Sequence, residues 1–408
     1  MSDFYQNGII STLHNLRTRS LSDLETDLKR FSKTRPMTLV LPSLFSELEK
    51  PALQLIVDEL KKVNYLDSIV IGLDQATKEQ YQYALQFFNQ LPQKHFVLWN
   101  DGPRLLDIDQ KLKKFDLSPK ELGKGRNVWF CFGFVLADGT AKSVALHDCD
   151  IVTYNRELLA RLIYPVANPN FNYQFCKGYY SRVTHEKING RVCRLLVTPL
   201  IRSLKRIFND NDYLNYLDSF RYALAGEFSM RTDVLSDIRI PSDWGLEIGV
   251  LSEVNRNYSN NHLCQVDIAD HYDHKHQDLS LNDKEKGLSK MSIDICKSIF
   301  RKLATNGLVF STETFRSIKA TYFRIALDFI ETYNNDAAMN GLELDIHSEE
   351  RAVEMFAQNI LDAGNSYLDN PMETPFIPSW TRVNSAIPDL QEDFLVAVNE
   401  DMNEFSKK

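Results

Sequence analysis

Two aspartates one residue apart, in Asp148-Cys149-Asp150, stand directly after the apolar run Ala141-Lys-Ser-Val-Ala-Leu. If that run is a strand, the two carboxylates leave its end towards one mouth, because alternate residues share a face. Hard carboxylate oxygens suit Mg²⁺ or Mn²⁺, and magnesium is usually held by one or two carboxylates together with substrate phosphates. An ion held in this way neutralises a diphosphate leaving group as the bond to it breaks. Read alone, the pair is a weak motif and more often an acidic turn at a strand end, so its meaning depends on its company.

That company is specific in type. His271, His274 and His276, three of the nine histidines, fall within six residues. Imidazole can fill a remaining metal position or hydrogen-bond a phosphate. A self-contained zinc site lacks a distant partner at conventional spacing, and a solvated loop is the plain alternative. Between Lys177 and Arg206 the chain places eight lysines and arginines against the single acid Glu186, a net +7 in a chain whose formal net charge is -8. Arginine forks match phosphate and carboxylate oxygens, and a turn at Gly190-Arg191-Val192 lets backbone approach a small anion. A basic surface face or a subunit rim competes with that reading. Glu227 in Ala225-Gly-Glu-Phe and Glu247 in Asp243-Trp-Gly-Leu-Glu-Ile-Gly are placed to hold sugar hydroxyls. Trp244, a lone tryptophan, is expected to fill the core rather than stack on a sugar ring.

These residues need a scaffold. Apolar runs at 37–41, 68–73, 95–99 and 141–146 alternate with helical patterns at 53–63, 75–91 and 128–136. That order implies a parallel sheet with helices on its faces, and ligands of such sheets bind outside the carboxyl ends of the strands. The run from Met37 is expected to stop at Pro42. Residues 1–36 read as an N-terminal helical segment and 37–290 as the α/β domain that carries the acidic pair, the basic run and the His-rich loop. Residues 291–408 read as a helical C-terminal region, whose Pro-rich stretch 369–388 wraps the surface.

Composition bounds the rest. A hydrophobic fraction of 43% supports a substantial core, and the acidic balance argues against nucleic acid held by a general positive field. No apolar run approaches the roughly 20 residues that span a bilayer, and the first residues lack the order of a signal peptide. A cytoplasmic protein with no membrane partner is expected. The six cysteines are dispersed, so reduced structural thiols are expected rather than a disulfide framework.

In order along the chain, Leu41-Pro42-Ser43-Leu44, Gly123-Lys124-Gly125, Asp148-Cys149-Asp150, Gly190-Arg191-Val192, Gly226-Glu227-Phe228, Gly245-Leu246-Glu247-Ile248-Gly249 and the His-rich loop resemble glucosyl-3-phosphoglycerate synthases. The resemblance implies an α/β protein of the GT-A (Rossmann-like) fold, with a mixed sheet flanked by helices. It implies a retaining enzyme that moves glucose from UDP-glucose to 3-phosphoglycerate, towards the compatible solute glucosylglycerate, with Mg²⁺ or Mn²⁺ as cofactor and a homodimer as assembly. Pro42, Ser43 and Leu44 would line the uracil and ribose pocket, and Lys124 would contact the nucleotide. Asp150 and His274 would ligate the metal, with Asp148 on the ribose or sugar. Gly190, Arg191 and Val192 would hold the phosphoglycerate, with His276 near its charged groups and Glu247 on the glucose hydroxyls. Asp148, Asp150 and Glu247 are thus the catalytic candidates. The chain departs from the family where Phe45 and Ser46 precede Glu47, and where Cys193 replaces the threonine that commonly follows Gly-Arg-Val.

Rival readings are a related glycosyltransferase using GDP-mannose or GDP-glucose, or accepting glycerate, and a non-catalytic nucleotide-sugar sensor. A nucleotidyltransferase would need an early phosphate-gripping Gly-rich loop, and Leu41-Pro-Ser-Leu-Phe-Ser is not one.

Overall fold

The computed structural model describes residues 6, 8–184, 186–209, 211–274, 286–371 and 376–406. Strands and helices alternate through β1 (Ser11–Leu13), α1 (Leu21–Phe31), β2 (Met37–Leu44), α2 (Pro51–Leu60), β3 (Ser68–Asp74), α3 (Lys78–Phe88), β4 (Lys94–Trp99) and α4 (Pro103–Lys113). Then come α5 (Lys124–Asp138), β5 (Ser143–Leu146), α6 (Arg156–Ala167) and β6 (Phe175–Tyr180), followed by a π-helical turn, Val192–Val197, that runs into α7 (Thr198–Phe208). The chain continues through α8 (Asp212–Asp218), β7 (Phe228–Arg231), α9 (Thr232–Asp237), β8 (Ile240–Pro241), α10 (Leu246–Asn257) and β9 (Leu263–Ala269). Three long helices, α11 (Gly287–Thr305), α12 (Thr312–Met339) and α13 (Ile346–Asp369), precede β10 (Phe376–Ile377), α14 (Trp380–Ala386) and α15 (Leu390–Phe405).

Eight strands form one sheet in the order β1-β9-β6-β7-β5-β2-β3-β4. Neighbours are parallel except at β7, which runs antiparallel to both β5 and β6. All seven residues of β3 are buried, as a strand covered on both faces should be. Local signals agree with the helix starts. Ser20 with Asp23 and Thr77 with Gln80 form capping boxes on α1 and α3, each satisfying two orphan donors.

The structure departs from the expected elements in three places. β2 runs through Pro42 instead of stopping there. It pairs with β3 as far as Leu44, but with β5 only as far as Val40. Val40 faces β5, accepting from the His147 amide at 3.2 Å, so Pro42, two residues on, points where that ladder has ended and gives up no bond. The N-terminal segment is not purely helical: β1 pairs in parallel with β9 at the sheet edge, and three residues are too few to show a period. The stretch 369–388 does more than wrap the surface. Trp380 is buried, its ring stacked on Trp129 with centroids 4.2 Å apart. Its indole N–H donates to the Trp129 carbonyl at 2.9 Å, and the Trp129 indole donates to the Pro378 carbonyl at 2.8 Å.

The six cysteines are buried and unbridged. Because β2, β3, β5, β6 and β9 share one direction, the loops after them open on one edge, and the site residues gather there.

Candidate active site

Lys124, Asp148 and Glu247 come from three distant motifs and meet. Lys124 Nζ lies 2.6 Å from Asp148 Oδ1 and 3.4 Å from Glu247 Oε1. The lysine opens α5 and Glu247 lies in the first turn of α10. Each flanking glycine of Gly123-Lys124-Gly125 has its own reason. Gly123 has φ +149, which side chains rarely adopt, and a Cβ at Gly125 would lie 2.0 Å from the Pro241 carbonyl oxygen. Burial works against the charge of Lys124, but the Asp148 and Glu247 carboxylates outweigh it and hold the pKa above its usual range.

Asp150 faces His274. The backbone brings them together: Ile151 and His274 form an antiparallel bridge, and the Val152 amide donates to the Asp273 carbonyl at 3.0 Å. His274 Nδ1 is 3.7 Å from Asp150 Oδ2, while Arg182 donates to Nε2 on the far side of the ring. Burial pushes the Asp150 carboxyl up, but the imidazole beside it prevails and holds it below the usual carboxylate range. A gap of 3.7 Å is too long for a hydrogen bond. It lies within the span of two ligands that each sit about 2.1 Å from a shared ion. The spacing fits a divalent cation with Arg182 drawn off Nε2, because a ring that accepts there carries its proton on Nδ1 and only the bare nitrogen can ligate. Among the described residues no group of three or more His, Cys, Asp or Glu converges to hold a metal, so such a cation would complete its shell from substrate and water. Of the three histidines, His271 is exposed and His276 lies outside the described residues.

Glu227 is enclosed. Its Oε2 accepts from the Tyr180 hydroxyl at 2.8 Å and its Oε1 from the Tyr272 hydroxyl at 2.6 Å. The two tyrosine rings stack with centroids 3.7 Å apart. Burial and the neighbouring Asp148 push the Glu227 carboxyl up. The preceding glycine is required, because a Cβ at Gly226 would lie 2.4 Å from Asp148 Oδ2. Lys177 is buried, donates to the Ala225 carbonyl at 2.6 Å and is pulled down to about 8 by desolvation. The first cation of the basic run thus braces the Asp148 side of the site from inside.

At the ends of β2 and β3, Ser43 is buried and Leu44 is exposed. Asn127 Nδ2 donates to the carbonyls of Gly72 at 2.9 Å and Ser43 at 3.5 Å, joining these two strands to α5 beside Pro42. Glu47 is tied to Lys50 at 2.7 Å. Asp74 was not singled out from the sequence, although it ends an apolar strand much as the acidic pair follows one. It is 6% exposed, accepts from Asn100 Nδ2 at 2.6 Å, and burial pushes it up to about 6.

The basic run divides. Arg202 and Lys205 both pair with Asp218, 2.8 Å away in each case, so that end serves the fold. Gly190 turns with φ +76 and a Cβ there would lie 3.1 Å from the Tyr222 hydroxyl. The Val192 side chain is in the core, which leaves its backbone for any ligand. Arg191 points to the C-terminal region, donating from Nε to Glu349 Oε1 at 2.9 Å and from Nη2 to Ser348 Oγ at 3.2 Å. Trp244 does not fill the core: it is 40% exposed, three residues before Glu247.

No profile of a known protein family matches the chain. Among curated proteins it is 46% identical over 401 residues to the glucosyl-3-phosphoglycerate synthase of Persephonella marina, covering 98% of this chain and 99% of that one. It is 41% identical over 415 aligned positions to that of Methanococcoides burtonii, covering 100% of each. Among solved structures it resembles the Mycobacterium tuberculosis glucosyl-3-phosphoglycerate synthase in complex with Mn²⁺, UDP and phosphoglyceric acid, with a TM-score of 0.53 and 17% identity over 74% of this chain and 88% of that one. It also resembles the Rubrobacter xylanophilus mannosyl-3-phosphoglycerate synthase, with a TM-score of 0.51 and 19% identity over 70% and 80% of the two chains. At such identities the structures establish the fold, which is GT-A. No helix among the described residues is long and apolar enough to cross a membrane. The full-length identities of 46% and 41% make this chain a glycosyltransferase of the glucosyl-3-phosphoglycerate synthase family.

Proposed function

We propose that the enzyme transfers glucose from UDP-glucose to 3-phosphoglycerate with retention, using Mg²⁺ or Mn²⁺. The observation that carries this reading is the Asp150–His274 gap of 3.7 Å beside the Lys124–Asp148–Glu247 junction, with Gly190-Arg191 next along the same edge. In the M. tuberculosis relative, UDP-glucose, phosphoglyceric acid and Mn²⁺ are bound together, and Mg²⁺ accompanies UDP. Asp150 and His274 would hold the ion, which neutralises the charge that grows on the departing diphosphate. Asp148, fixed by Lys124, and Glu247 would orient the sugar through its hydroxyls, while Arg191 and the Gly190–Val192 backbone would hold the acid acceptor. Their contribution is positioning and fixed charge.

Retention needs no protein nucleophile if the acceptor hydroxyl attacks the face that the nucleotide leaves and a diphosphate oxygen takes its proton. Glu227 supports that route, since both its oxygens are engaged by tyrosines.

UDP release from UDP-glucose and Mg²⁺ should depend on 3-phosphoglycerate. Asp150→Asn should lower kcat by at least about 100-fold, the scale of losing a charge-stabilising group, with the unfolding temperature kept. Equal turnover with GDP-mannose, or with glycerate in place of 3-phosphoglycerate, would overturn the donor or acceptor assignment respectively.

A further inference from the structure

Arg191 and Arg194 stand three residues apart where the π-helical turn begins, and like charges at that spacing repel. The compensating charge comes from the other end of the chain. Glu349, in the first turn of α13 and 3% exposed, gives Oε1 to Arg191 Nε at 2.9 Å and Oε2 to Arg194 Nη2 at 3.0 Å. With Ser348 on Arg191 Nη2, the inner edge of the Arg191 fork is occupied. Nη1 and the outer hydrogen of Nη2 are left for an anion. Arg194 is fixed more deeply. Its Nε donates to the Asn189 carbonyl at 2.8 Å, its guanidinium lies 4.8 Å from the Tyr333 ring centroid, and its Nη1 is buried without a partner among the described residues.

The same helices grip the surrounding backbone. The Glu343 amide donates to the Glu186 carbonyl at 2.7 Å, Lys187 and Glu343 form a parallel bridge, and the Tyr322 hydroxyl donates to the Leu195 carbonyl at 2.6 Å. Residues on either side of Gly190-Arg191 are therefore tied to α12, to α13 or to the turn between them.

We infer that Glu349 is a positioning residue for the acceptor: it holds Arg191 and Arg194 as one unit so that Arg191 presents a fixed outer edge to the acid. This rests on the acceptor site proposed above. A guanidinium held on its inner edge loses little further freedom when a phosphate or carboxylate docks on the outer one. The alternative is that Glu349 matters only as a negative charge, in which case it repels the acceptor and its loss tightens binding. The two roles have opposite signs. Positioning prevails because the nearly buried Arg194 has no other carboxylate partner among the described residues, and breaking a buried pair leaves its charge uncompensated. A glutamine at 349 keeps one acceptor oxygen but turns N–H donors towards the other guanidinium, so it can hold one arginine and not both.

Full-length Glu349→Gln, Glu349→Asp, Ser348→Ala and Arg191→Ala should be compared by UDP release, varying each substrate in turn. Glu349→Gln should raise the KM for 3-phosphoglycerate at least about tenfold, with kcat within about threefold and the UDP-glucose KM within about twofold. Glu349→Asp should recover part of the loss. Ser348→Ala, which removes one bond at a half-buried residue, should raise the same KM about two- to threefold and decides the matter if Glu349→Gln does not fold. An acceptor KM that is unchanged or lower in Glu349→Gln overturns positioning, as does a fall in kcat alone, the mark of a smaller folded fraction. Should Arg191→Ala leave the acceptor KM unchanged, the acceptor site itself is misplaced. A raised KM in Arg191→Ala with a normal one in Glu349→Gln refutes only the role of Glu349.

Discussion

Near neutrality Asp74 is a carboxylate held where water scarcely reaches it. Its folded pKa is raised from 3.8 to about 6 by burial. Across that window the folded chain binds more protons than the unfolded one, so stability falls as pH rises and the cost is complete above about 6. A shift of that size corresponds to roughly 3 kcal/mol. Asp74→Asn should therefore unfold at a higher temperature than the parent at pH 8, with the gain shrinking towards pH 5. No gain at pH 8 would show that the carboxylate is better solvated than its burial implies. Because Asp74 ends β3 beside the Ser43 and Asn127 cluster, the same variant should raise the KM for UDP-glucose. At this scale the sequence was most legible where chemistry is confined to short motifs. Asp148, Lys124 and Glu247 could be chosen because each sits in its own compact signature, and they do meet. Glu349 could not, since its partner Arg191 lies 158 residues away and no local pattern announces the pair. Trp244 was misjudged because a lone tryptophan carries no period from which to assign a face.

Strands and helices were legible in proportion to how completely their surroundings bury them. β2 through β5 are nearly continuous apolar runs because helices cover both faces, whereas β1 and β10 have three and two residues respectively, too short for alternation to register. The segment around α14 is instructive because it is Pro-rich and yet anchored. A Cβ at Gly133 would lie 2.0 Å from the Trp380 ring, so α5 has made room for an indole from the far end of the chain. Trp380→Ala would leave a cavity against Trp129 and remove the hydrogen bond that its indole makes. A loss of about 3–5 kcal/mol is expected. Thermal unfolding should move down accordingly, while kcat per folded molecule at 25 °C stays near that of the parent, because Trp380 packs behind α5 and not at the strand ends. A fall in kcat without a fall in unfolding temperature would instead tie α14 to the chemistry.

For the whole molecule the decisive fact is that successive residues of β2 feed two different cores. Leu39 and Leu41 join one that includes Ile56, Phe88 and Leu159, from α2, α3 and α6. Val40 joins another that runs without interruption from the sheet through Trp129 and Phe134 to Phe300, Phe356 and Phe394 in α11, α13 and α15. The apolar layer on that face is thus completed by helices that follow residue 286, with α15 packed on α5 and on β4, and those helices also supply Glu349. A chain cut after residue 290 should bare that face, and burial of such surface is the main term that opposes chain entropy. The fragment is expected to keep helical circular dichroism, bind a hydrophobic dye and melt without a sharp transition, the behaviour of a state that has lost specific packing. The full chain should melt cooperatively, and UDP with Mg²⁺ should raise its midpoint by linkage. A fragment with its own sharp transition and the same response to UDP and Mg²⁺ would mean that the helical region docks on a finished domain. Its influence on the acceptor arginines would then be an addition to the fold rather than part of it.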